Sequence, residues 1–135
     1  MAFKVATNGT TKRPFLEPVW ISGDFAVPEP VVITNGVVLA LSNGENVQQT
    51  KGRDYTLLTD AERKANTHRV ILYALDAKTG RVLFESGTAI DDWVHFSSLA
   101  LASGRIYVVD HSSQVYCFGL KNLGQDKDAT KDRTP

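Results

Sequence analysis

Apolar positions along the chain come in short β-branched runs cut by turn residues, and the runs predict strands. Pro30–Asn35 (PVVITN) and Gly36–Gly44 (GVVLALSNG) are hinged on Asn35-Gly36, the residue pair that most favours a two-residue hairpin turn. Arg69–Asp76 (RVILYALD) and Gly80–Ser86 (GRVLFES) flank Ala77-Lys78-Thr79, with Gly80 able to supply the positive φ of a turn. Val94–Gly104, Arg105–Ser113 and Gln114–Leu120 predict three more strands, with Ser103-Gly104 turning the first into the second. Short strands on tight turns without strand-helix alternation describe an all-β antiparallel meander.

One segment reads as helix. In Leu57–Asn66, Thr59 stands at an N-cap with Glu62 three residues later, which is the capping-box spacing, and good helix formers follow. The segment lies inside Glu45–His68, which is polar and longer than most loops between strands, so it predicts a surface excursion. Long loops often carry function, and Glu45, Asn46, Lys51, Arg53, Asp54 and Tyr55 are its candidate binding residues.

The runs also repeat. Asn35-Gly36 falls on Ser103-Gly104 at an offset of 68 residues, while Tyr73 falls on Tyr116 at an offset of 43. The two offsets differ by about the length of the polar excursion, so one copy of a unit of roughly 43 residues holds an insertion between its second and third strands. Four-stranded units of that length predict β-propeller blades.

Ala74, Asp76 and Gly80, with Phe84 in the place of a Trp, follow the pattern Ala-x-Asp-x-x-x-Gly-x-x-x-Trp. This resembles the propeller repeat of the pyrroloquinoline-quinone-dehydrogenase type, over roughly Val19 to Leu120. In the second copy Cys117 takes the Ala place and Gly119 the Asp place, and Gly124 arrives one residue late. The resemblance implies about two C-terminal blades. Residues 1–16 become an irregular N-terminal segment and residues 17–24 the outer strand of a preceding blade, with Trp20 as its docking aromatic. Residues 25–92 become a complete blade with the insertion at 45–68, and residues 93–120, opening on Trp93, three strands of a last blade. The remainder, 121–135, is charged and poor in apolar residues and predicts a disordered tail.

Composition narrows the partners. Fifteen basic and fifteen acidic side chains cancel, and no basic run is interleaved with aromatics, so nucleic acid is not an expected partner. No apolar run approaches the length of a membrane span, and Met1 to Phe15 contain no apolar signal-peptide region. The resemblance by itself implies a periplasmic or extracellular location. Cys117, the single cysteine, lies between Tyr116 and Phe118 and reads as buried filler.

Candidate chemistry is thin. Asp76 at a turn suits acceptance from backbone N–H groups two and three residues on, so it reads as structural rather than catalytic. His68, His95 and His111 are scattered and make no metal-ligand spacing; His95 reads as a satisfied histidine at a blade interface. Asp91 and Asp92 are adjacent, which points them to opposite faces of a strand, and Asp110-His111-Ser112 is contiguous and defines no triad. No catalytic residue and no metal site is therefore predicted. Quinone dehydrogenases of the resembled type hold the quinone (PQQ) beside a Ca²⁺, often under a vicinal Cys-Cys disulfide, and this chain has no such pair. The same repeat occurs in non-catalytic scaffolds. The expectation is a non-catalytic binding or scaffolding module without a cofactor of its own. It would pack against other blades, from upstream in a longer chain or from further copies, and meet a protein or glycan partner through its loops. The alternative is the C-terminal part of a PQQ- and Ca²⁺-dependent dehydrogenase whose catalytic residues lie upstream.

Overall fold

The computed structural model describes residues 1–96 and 99–120, so the tail at 121–135 lies outside the described residues. In chain order, β1 (Ala2–Thr7) and β2 (Pro14–Trp20) form a hairpin, and β3 (Val32–Thr34) and β4 (Val37–Ser42) form a second. The short pair β5 (Thr50–Lys51) and β6 (Thr56–Leu57) and the helix α1 (Asp60–Lys64) follow. Then come β7 (Ile71–Asp76), β8 (Val82–Glu85), β9 (Ala100–Ala102), β10 (Arg105–Val109) and β11 (Val115–Gly119). With 42% of the chain in strands, 4% in helix and every pairing antiparallel, the fold is mostly β, with no closed barrel among the described residues.

Two meanders carry the architecture. One is four-stranded, in the order β3-β4-β7-β8, and the other three-stranded, β11-β10-β9. Asn35 and Gly36 both have positive φ at the β3–β4 turn, and Ser103 and Gly104 do the same between β9 and β10. Between the sheets lies one apolar cluster of Leu39, Leu41, Val70, Leu72, Ile90, Val94, Leu99 and Val108. The central strand β4 is buried on both faces, which explains why Val37–Leu41 reads as an unbroken apolar run rather than an alternating one. Phe84 of β8 meets Phe118 of β11 edge to face at 6.1 Å, a second apolar link between the sheets.

The insertion leaves this framework undisturbed because its two ends meet. Ser42 pairs with Ile71 as the last rung of β4 and β7, and the His68 N–H donates to the Gly44 carbonyl at 2.7 Å. Gly44 has φ +73°, and a Cβ there would stand 2.1 Å from the His68 oxygen, so only glycine lets the two backbones pinch together. The helix within the insertion has the capping box in full: Thr59 accepts from the Glu62 N–H while the Glu62 carboxylate accepts from the Thr59 N–H.

Three expectations are corrected. Residues 1–16 are not irregular: β1 and the start of β2 lie there, closed by Asn8, whose Oδ1 accepts from Thr10 N–H at 3.0 Å and Thr11 N–H at 2.8 Å. Of the described residues in the strand expected over Val94–Gly104, only Ala100–Ala102 are strand; Trp93 and Val94 instead tie loops together, through Val94 N–H to the Asn43 carbonyl at 2.9 Å. Cys117 is exposed, because Tyr116 and Phe118 pack against the core and the two-residue period turns Cys117 the other way.

Gly44→Ala is expected to cost about 3 kcal/mol or more in urea denaturation, since backbone atoms must part. Gly36→Ala, with φ +76° and nothing within 4 Å of its Cβ, should cost only about 1–2 kcal/mol, the left-handed penalty alone.

Candidate functional site

The pinched insertion lays α1 beside the loops that precede β9 and follow β10. Together they line a cleft of about 210 Å³ with Asp60, Arg63, Lys64, Trp93, His95 and His111. Trp93, 6% exposed, forms the floor, and the His111 ring stacks on it with centroids 4.1 Å apart and planes 16° from parallel. The backbone fixes this pairing, since the His111 N–H donates to the Trp93 carbonyl at 2.8 Å. His95 also leans on the indole, with centroids 5.8 Å apart and planes 59° from parallel.

One carboxylate ties the wall together. Glu45, its side chain only 7% exposed, accepts from Arg63 Nη2 of α1 and pairs at 2.8 Å with Nδ1 of His95. A buried carboxylate is expensive unless it is paired and hydrogen-bonded, so Glu45 clamps the insertion to the loop before β9. Asp92, just behind the floor, accepts from the Ser112 hydroxyl at 2.6 Å and the Trp93 N–H at 2.9 Å. Burial pushes its carboxyl up, but those bonds and the charges of Lys64 and His111 outweigh it and leave the group below its ordinary value. Asp91 turns away and pairs with Arg69 at 3.5 Å, so the adjacent aspartates do not act together.

The other residues singled out by sequence fall elsewhere. Asn46 closes a local turn, accepting from the Gln48 N–H at 3.0 Å, and Asp54 accepts from the Thr56 hydroxyl at 2.8 Å. Lys51 pairs with Glu62 at 2.5 Å; that bond, with the donors of Thr59, holds the Glu62 carboxyl down at about 2. Arg53 and Tyr55 are exposed near the β5–β6 turn. None of the six candidate loop residues lines the cleft, and of them only Glu45 bonds residues that do. Arg63, Lys64, His95 and His111 line it, and the linear chain does not group them because they come from three separated segments.

The motif residues gather at the β7–β8 turn. Asp76 Oδ1 accepts from the Lys78 N–H at 2.9 Å and from the N–H and hydroxyl of Thr79 at 2.8 and 2.9 Å. These bonds, those of Thr79 foremost, lower the Asp76 carboxyl below its ordinary range. Trp20 of β2 lies flat against Gly80, where a Cβ would come within 2.5 Å of the ring, and its indole donates to the Ala77 carbonyl at 3.0 Å. Ala74 pairs with Phe84 across a bulge in the β7–β8 ladder. No group in this turn lines the cleft.

No family model, curated protein or solved structure matches the chain.

Glu45→Ala should remove about 2 kcal/mol of stability in urea denaturation and speed proteolytic cleavage within residues 45–68, because Arg63 and His95 lose their shared partner. The Asp76 carboxyl titrates lower in the folded chain than its ordinary 3.8, so its contribution is complete above that pH and vanishes as pH falls through the lowered range. The stability gap between the unmodified chain and Asp76→Ala should therefore be constant near neutrality and close below pH 3.8 in acid titrations followed by circular dichroism.

Proposed function

We propose that the chain is a non-catalytic scaffolding and binding module built from propeller-type blades of the pyrroloquinoline-quinone-dehydrogenase-like repeat. The observation that carries this reading is the pair of sequential meanders, β3-β4-β7-β8 and β9-β10-β11, sharing one core and one kind of turn. The four-stranded sheet corresponds to a complete blade and the three-stranded sheet to a blade awaiting its outer strand. Trp20 seated on Gly80 supports a blade-docking role for β2, and the Phe84–Phe118 contact supports the same role for β8.

Apolar side chains left at the sheet margins support association with further blades. Leu16 and Val19 on β2, Val82 and Leu83 on β8 and Val115 on β11 are all exposed. A blade buries such margins against neighbours, and contiguous exposed apolar surface drives association. The neighbours are blades of a longer chain or of further copies, and the cleft side of the insertion is left free to meet a partner.

In sedimentation velocity the chain should run as a species heavier than one copy, or form a mixed complex with added neighbouring blades; a stable compact monomer indifferent to both overturns the reading. Adding the quinone with Ca²⁺ should change neither its absorbance nor the sedimentation profile. Tight quinone binding or dye reduction would instead favour a dehydrogenase.

A further inference from the structure

Two residues that line the cleft each carry a buried donor without an acceptor. Among the described residues neither Trp93 Nε1 nor Arg63 Nε has a hydrogen-bond partner, although both nitrogens are buried. Buried polar groups are nearly always bonded, and an orphaned one is destabilising, so two on residues that line one cleft point to a missing acceptor. Trp20 makes the contrast within the same chain, since its indole has an acceptor in the Ala77 carbonyl. Arg63 already gives Nη2 to Glu45, and only its Nε is left over.

Charge decides what kind of acceptor fits. Arg63 and Lys64 are answered by Asp60, which lines the same cleft, and by Glu45, which grips Arg63. Asp92 lies close enough to feel Lys64. An anion therefore meets no net positive field, and a purely apolar ligand leaves the donors unmet. A neutral group whose oxygens both accept and donate suits the mixture: it accepts from the Trp93 and Arg63 N–H groups and donates a hydroxyl to the Asp60 carboxylate. A volume of about 210 Å³ is below the usual range for drug-sized ligands and suits a single small ring.

From this geometry we infer that the cleft is a binding site for one neutral polyhydroxylated ring, a sugar unit, held by the Trp93 and Arg63 donors with Asp60 as acceptor. Both nitrogens are buried, so the ring seats only as a lining side chain shifts; His95, 34% exposed and held through its bond to Glu45, is one that leans on the Trp93 indole. The site belongs to this chain's own residues and stands independently of the blade reading, so a monomeric mass in sedimentation leaves it intact.

The test is nitrogen-edited NMR on the isotope-labelled full chain, which carries two indole N–H signals, with Trp93→Phe to assign them. The probes are D-glucose, D-galactose, D-mannose and N-acetyl-D-glucosamine, with sodium acetate and inorganic phosphate as the anion arm. At least one sugar should move the Trp93 indole signal and spare that of Trp20, saturating with a dissociation constant on the order of millimolar. Arg63→Lys, which keeps a cation for Glu45 but lacks Nε, should bind that sugar about tenfold more weakly. Tighter binding of the corresponding disaccharide identifies the end of a glycan as the source; equal binding identifies a free sugar. Saturation by acetate or phosphate with the sugars inert overturns the inference, as does a Trp93 signal that no probe moves. The titration of the unmodified chain decides this even if a variant fails to fold.

Discussion

The backbone contact between Gly44 and His68 is the constraint on which the arrangement of this chain depends. It lets a polar segment leave a sheet and return to it with the β4–β7 ladder unbroken up to Ser42 and Ile71. A side chain at residue 44 would force the strands apart at their ends, and the loops anchored there would lose their footing. Asn43, almost wholly buried beside it, shows how much is anchored. Its carbonyl accepts from Val94, its amide donates to Glu29 and its Oδ1 accepts from Glu45 N–H. Those bonds set where Glu45 and Trp93 begin, and so where the cleft can form.

The cleft is polar on one side and core on the other. Val94 and Ile90 sit in the apolar cluster, and Trp93 between them extends it to the surface beneath His111. A floor built into a core is held by packing, which is stiffer than anything an exposed loop supplies by itself. The wall formed by α1 is different in kind. A helix of five residues is too short to be stable alone, and it persists through its capping box and the Glu45–Arg63 pair. Rigid floor and clamped wall together give a site whose shape depends on one buried carboxylate.

Much of the strand pattern was legible in the linear chain. Val37–Leu41, Ile71–Leu75 and Arg105–Val109 announce themselves through β-branched runs, and Asn35-Gly36 and Ser103-Gly104 through residues that accept positive φ. The capping box of α1 was legible for the same reason, because Thr59 and Glu62 act within one helical turn. The N-terminal hairpin was not, since its turn is an Asn8-centred loop six residues long rather than a two-residue pair, and its strands carry mixed polar residues such as Lys4 and Glu17. Cys117 was misread because an apolar neighbourhood in sequence does not reveal which face of an edge strand is covered.

The sequence by itself determined the antiparallel strand order within each meander, the hairpin turns and the helix cap, because each rests on neighbours a few residues apart whose backbone preferences act locally. Only the tertiary structure decided that Arg63, Trp93, His95 and His111 meet, that Glu45 alone of the long loop's candidate residues bonds them, and that two donors there lack an acceptor among the described residues. Those relations depend on how the ends of separate strands are pinned together in space, and no periodicity along the chain encodes a distance between residues 45, 63, 93 and 111.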